Sequence, residues 1–137
     1  MENRQTVFTS SNISIQALHD EANKIQAFMD EPCNLQDPNS MTERLCKLDA
    51  YMSRLGEMNV IAKAYRSRAE NSFVSQREDL NKLTATASNR IIKAHMEDYN
   101  ILYDRIDTMY ETIRHLTKDL VTQISYIKEQ MKNLGSI

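Results

Sequence analysis

The stretch that decides the fold is Ile91–Leu134, IIKAHMEDYNILYDRIDTMYETIRHLTKDLVTQISYIKEQMKNL. In it Ile92, Tyr99, Leu102, Ile106, Met109, Ile113, Leu116, Leu120, Ile124, Ile127, Met131 and Leu134 recur at steps of three and four, apart from the opening seven-residue step. That spacing lays one apolar stripe along a long helix. At roughly 1.5 Å per residue the stretch makes a rod of about 66 Å, which cannot cover its own stripe. The rest of the chain must supply the cover.

Upstream, Met41, Leu45, Leu48, Met52 and Leu55 begin a second stripe, which continues through Met58, Ala62, Tyr65, Ala69 and Phe73 to Leu80 and Leu83. This stripe drifts around the helix after Leu55, as a 3.6-residue repeat does against a strict heptad. Ser40-Met-Thr-Glu43 has capping-box spacing and predicts the start of that helix. Gly56 lies inside it at a cost of roughly 1 kcal/mol relative to Ala, and reads either as a bend or close approach or simply as a tolerated glycine. Thr84-Ala-Thr-Ala-Ser-Asn89 is the weakest helical segment, because its side chains compete for backbone hydrogen bonds. A fold-back there gives arms of matched length, so the expectation is an antiparallel hairpin with helices near 41–83 and 90–134. Gly135 fits a Schellman stop.

A shorter helix near 13–31 precedes the arms, with Ile15, Leu18, Ala22, Ile25 and Met29 on one face. Ser11 or Asn12 is placed to cap it, and Pro32 to stop it. Residues 1–11 read as a flexible arm, and 12–137 as a single helical domain. The fold class is therefore all-α: a long hairpin plus a short N-terminal helix, bundle or coiled-coil-like. Two Gly and two Pro among 137 residues leave little material for turns and agree with it.

The stripe on the last helix is wider than a two-helix seam needs. Tyr103, Tyr110 and Val121 flank it, and a short first helix covers only part of the excess. A second copy of the chain, most simply in an antiparallel dimer, is the expected cover.

Composition excludes more than it names. With 17 basic and 19 acidic residues the chain is not a general polyanion binder. Charge is unevenly spread: residues 54–93 carry eight basic and four acidic groups, and both ends are net acidic. Lys63, Arg66 and Arg77 share a face on a helical wheel near the expected hairpin tip. They are the candidate contacts for nucleic acid or an acidic partner, against the plainer reading of a solvated face. The start lacks an apolar leader and no window is apolar enough to span a membrane, so the cytoplasm is expected. Cys33 and Cys46 are then expected to be reduced.

Chemistry is hard to find. Glu111, His115 and Asp119 stand at i, i+4 and i+8, a spacing that suits zinc but equally suits a surface His between helix-pairing carboxylates. His95-Met-Glu97-Asp98 does not share a face. No Glu-x-x-His, phosphate loop or nucleophile motif occurs, and the expectation is a protein without catalytic residues, cofactor or metal. The six tyrosines and eight methionines fall mostly on or beside the stripes, as core residues do.

The run Tyr103-Asp-Arg-Ile-Asp-Thr-Met-Tyr-Glu-Thr-Ile-Arg-His-Leu, with Leu-Val-Thr-Gln-Ile-Ser-Tyr-Ile-Lys after it, resembles the C-terminal helix of small all-helical proteins of bacteriophages and integrated mobile elements. Met58-Asn-Val-Ile-Ala-Lys-Ala-Tyr is similar to their earlier small-residue helix. The resemblance spans about residues 45–130. It implies a mobile-element origin and a bacterial cytoplasm, and brings no catalytic residues. Two functions follow as expectations: a non-enzymatic helical protein–protein interaction or scaffold protein, or a DNA-associated accessory protein that binds single strands, or a DNA-bound complex, through the basic tip.

Overall fold

The computed structural model describes residues 13–135. The proposed arm at 1–11, and the proposed caps Ser11 and Asn12, lie outside the described residues. The described chain is all-helical: α1 (Ile15–Met29), α2 (Pro38–Ser75), a 3-10 turn (Glu78–Lys82), α3 (Ala85–His95) and α4 (Glu97–Gly135).

The starts of α1, α2 and α3 each have a side-chain cap. Ser14 Oγ accepts from the Ala17 N–H at 3.0 Å and opens α1. Asp37, not the expected Ser40, opens α2: its carboxylate accepts from the Asn39 N–H at 3.1 Å and from the Ser40 hydroxyl at 2.7 Å. Pro38 then occupies the first turn, where its missing N–H costs nothing. The serine of the supposed capping box thus serves the aspartate three residues before it.

The break between the arms also falls earlier than expected. α2 ends at Ser75, where the Gln76 N–H bonds back to the Ser72 carbonyl and the Arg77 N–H to that of Val74. Arg77 clasps Asp79 through two bonds of 2.8 and 2.9 Å and stabilises the reversal. Thr84–Asn89 is not the turn. Thr84 Oγ1 caps α3 by accepting from the Ala87 N–H at 3.2 Å, and Ser88 Oγ donates to the Leu80 carbonyl at 2.8 Å. The hydroxyls expected to disrupt a helix here nucleate one and tie it to the 3-10 turn, whose Leu80 is buried. The helix expected over 90–134 is divided at buried Met96, which leaves α3 and α4 as separate segments.

α2 and α4 pack along most of their length. Asn59 meets Asp107, Gly56 meets Tyr110 and Arg66 meets Tyr103, so the two run in opposite directions. Between them lie Leu48, Leu55, Met58 and Ala62 from α2, and Leu102, Ile106, Met109 and Ile113 from α4, all buried. Extending that register carries the end of α4 past the start of α2. Met131 and Leu134, expected to be covered, are instead 57% and 72% exposed. Gly135 stays within the helix, and neither glycine has positive φ, so the expected Schellman stop is not formed.

Candidate interaction surface

A pair of antiparallel helices has a groove on either side of its seam. α1 fills one. Its Leu18, Ala22, Ile25 and Met29 recur at steps of three and four and are all buried. Polar bonds hold it down at intervals. Tyr65 Oη donates to the Ile13 carbonyl near the start. Arg54 reaches Glu21 with bonds of 2.5 and 2.8 Å, and this carboxylate hydrogen bond raises the guanidinium pKa above its ordinary value. Arg105 donates to Asn23 Oδ1 at 2.8 Å. Arg44 donates to the Met29 carbonyl at 3.0 Å and lies over the Phe28 ring, which in turn packs on Tyr51. The Met29 carbonyl is one of those that the C-terminal end of a helix leaves without an intrahelical donor.

The other groove has no such helix among the described residues. On the 3.6 period its α2 side carries Leu45, Asp49, Met52, Gly56, Asn59 and Lys63, and its α4 side Tyr103, Asp107, Tyr110, Arg114 and Val121. Leu45, Met52, Tyr103 and Tyr110 are half-buried against the core, and Val121 is 46% exposed. Near the middle a recess of about 220 Å³ lies among Gly56, Asn59, Asp107, Tyr110 and Glu111. Tyr103, Tyr110 and Val121, the flank singled out from the sequence, share this groove. Leu45, Met52 and Gly56 on the facing helix complete it. Periodicity placed Leu45 and Met52 on a stripe, and Gly56 inside the same helix, without showing that the seam would leave them at its edge.

Lys63, Arg66 and Arg77 are not brought together as a patch. Arg66 lies over the Tyr103 ring at 4.1 Å. Arg77 falls beyond the end of α2, where it pairs with Asp79 and lies 5.3 Å from the Phe73 ring centre. The bond to Asp79 raises its pKa above the ordinary guanidinium value, and Asp79 is lowered in return. Of the three, Lys63 extends from the groove without a charged or aromatic partner among the described residues.

The other candidates for chemistry have ordinary settings. Glu111, His115 and Asp119 are exposed, and Glu111 pairs with Arg114 at 3.0 Å. Among the described residues no three His, Cys, Asp or Glu side chains converge as metal ligands. His95 stacks on Phe73, 3.9 Å between ring centres, and fastens α3 to the end of α2. Cys33 and Cys46 are free thiols. A recess beside α1, about 380 Å³ between its C-terminal end and α4, is lined by Met29, Leu35, Leu48, Leu116 and Leu120 with a few polar groups at its margin. No described helix is long and apolar enough to cross a membrane. No protein-family model, curated protein or solved structure matches the chain.

Proposed function

We propose that the chain is a non-enzymatic helical interaction protein, a scaffold or accessory factor whose long antiparallel arms are completed by another protein on the groove opposite α1. The observation that carries this reading is the asymmetry of the seam. One groove is filled by a helix of the chain itself, and the other presents the half-buried Leu45, Met52, Tyr103 and Tyr110 with no described helix over them. Tyrosines at the edge of such a groove suit a protein contact, because each offers a large rigid ring and a polar rim. The bacterial cytoplasm and the mobile-element setting implied by the resemblance belong to the same proposal.

The test is a photo-crosslinking amino acid placed in the full chain at position 110 or 121, with position 108 on the outer side of α4 as control. Protein adducts in the expressing cell are expected from 110 and 121 and not from 108. No adducts from either groove position, or the same adducts from all three, refutes the reading.

A further inference from the structure

We infer that the occupant of the open groove is a second copy of this chain, packed antiparallel about a two-fold axis that passes beside Gly56 and Tyr110. The inference rests on reading the groove as an interaction surface, and adds the partner and its register.

The first observation is the glycine. Gly56 sits in the middle of a 38-residue helix with ordinary φ. A Cβ there would meet only the Tyr110 ring edge, at a comfortable 3.8 Å. Neither conformation nor packing among the described residues therefore requires glycine, although glycine weakens a helix. What a missing side chain does permit is the approach of another backbone from outside, and the recess beside Gly56 lies open on that side.

The second observation is the charge pattern on either side of that point. On α2, Lys63 lies seven residues to one side of Gly56 and Asp49 seven to the other. Both are exposed, and neither has an ion pair within the described chain. On α4, Asp107 and Arg114 flank Tyr110 with the signs reversed along the rod. A half-turn about the central axis carries each helix over its own counterpart in the opposite direction. Lys63 then faces Asp49 of the partner subunit, and Asp107 lies within a residue of the level of the partner's Arg114. Every such contact occurs twice by symmetry.

The third observation is apolar. Val60 and Met52 lie four residues either side of Gly56, and Val60 is 68% exposed. The same half-turn sets Val60 on Met52 of the partner subunit. A parallel arrangement would place α2 over the partner's α4 and set Val60 at the level of the partner's Asp107, losing that match.

Sedimentation velocity on the full chain tests the register. The unaltered protein is expected to be a dimer at micromolar concentration. Lys63→Glu and Asp49→Lys should each weaken the dimer about tenfold or more, since each creates two like-charge contacts, and together they should restore most of the loss. Circular dichroism should show all three variants fully helical. Gly56→Ala gives a second arm: it should raise the Tm of the diluted protein through helix propensity and at the same time weaken the dimer. A monomeric unaltered protein, single variants without effect, or a double variant that fails to recover would each overturn the inference. If the protein is monomeric yet position 110 still yields adducts with another protein, the second copy is excluded and the interaction reading stands.

Discussion

The two grooves of the α2–α4 seam border the same buried core and end up differently. Beside α1 the residues Leu18, Ala22, Ile25 and Met29 are buried, and polar ties surround them: Arg54 with Glu21, Arg105 with Asn23, Arg44 with the Met29 carbonyl. On the opposite side Leu45, Met52, Tyr103 and Tyr110 are left half-buried, and the cross-helix ties are slighter, a 3.4 Å bond from Asn59 to Asp107 and the Arg66 guanidinium over Tyr103. On the interaction reading proposed above, the chain satisfies its own fold with one groove and holds the other for association. Stability and interaction are then carried by different residues and can be altered separately.

The largest expected effect is on the covered side. Ile25→Ala removes a fully buried branched side chain from between α1 and the seam, and should cost about 2–5 kcal/mol, seen as a lower midpoint in urea. Met52→Ala, half-buried in the open groove, should cost about 1 kcal/mol or less in the dilute protein. Equal losses at the two positions would break the comparison, because they would mean that the open groove contributes to the folded monomer as much as the covered one.

The distinction between the grooves was partly legible in the sequence. The width of the α4 stripe at Tyr103, Tyr110 and Val121 signals surplus apolar surface, since the period of a helix fixes which residues share a side. The all-helical class followed from the same period and from scarce Gly and Pro. The α2 side was less legible. Its buried set, Met41, Leu48, Leu55, Met58, Ile61 and Ala62, is spread around the helix, and periodicity alone does not say where a neighbour stops covering it. The reversal was misplaced because Thr84 and Ser88 were read by propensity. A hydroxyl that competes with a helix from the inside caps it from the end, and which of these occurs depends on where the preceding helix stops. That stop, at Ser72–Arg77, has neither Gly nor Pro to announce it. The three basic residues were grouped on a wheel that assumed one continuous helix through Arg77, and ending α2 at Ser75 removed the assumption.

A smaller effect sharpens the comparison through charge. Arg54 and Glu21 on the covered side have side chains 30% and 32% exposed, whereas Arg114 and Glu111 beside the open groove are 60% and 50% exposed. A double-mutant cycle to Ala should give a coupling of about 0.5–1 kcal/mol for the first pair and close to zero for the second. Added salt should reduce the first only in part, because the bidentate contact holds its partners in place.

The smallest effect concerns the foot of α2, where the chain leaves α1 and both grooves begin. Asp37 holds its carboxyl below the ordinary value, chiefly through the Ser40 hydroxyl and then through the Asn39 N–H. A carboxylate lowered on folding stabilises the folded state fully above its unfolded value, and the contribution is lost as pH falls through the folded one. The acid limb of the Tm profile should therefore be steeper in the unaltered protein than in Asp37→Asn. That variant retains an acceptor for the Asn39 N–H but has no proton to gain in this range. Because the cap acts on α2 itself, the substitution should move the midpoint of α1 release and of global unfolding together, as followed by hydrogen exchange. An α1 that loosens first as the pH falls, with α2 and α4 still protected, would show that its hold depends on Glu21 and Arg54 more than on the apolar face beneath them.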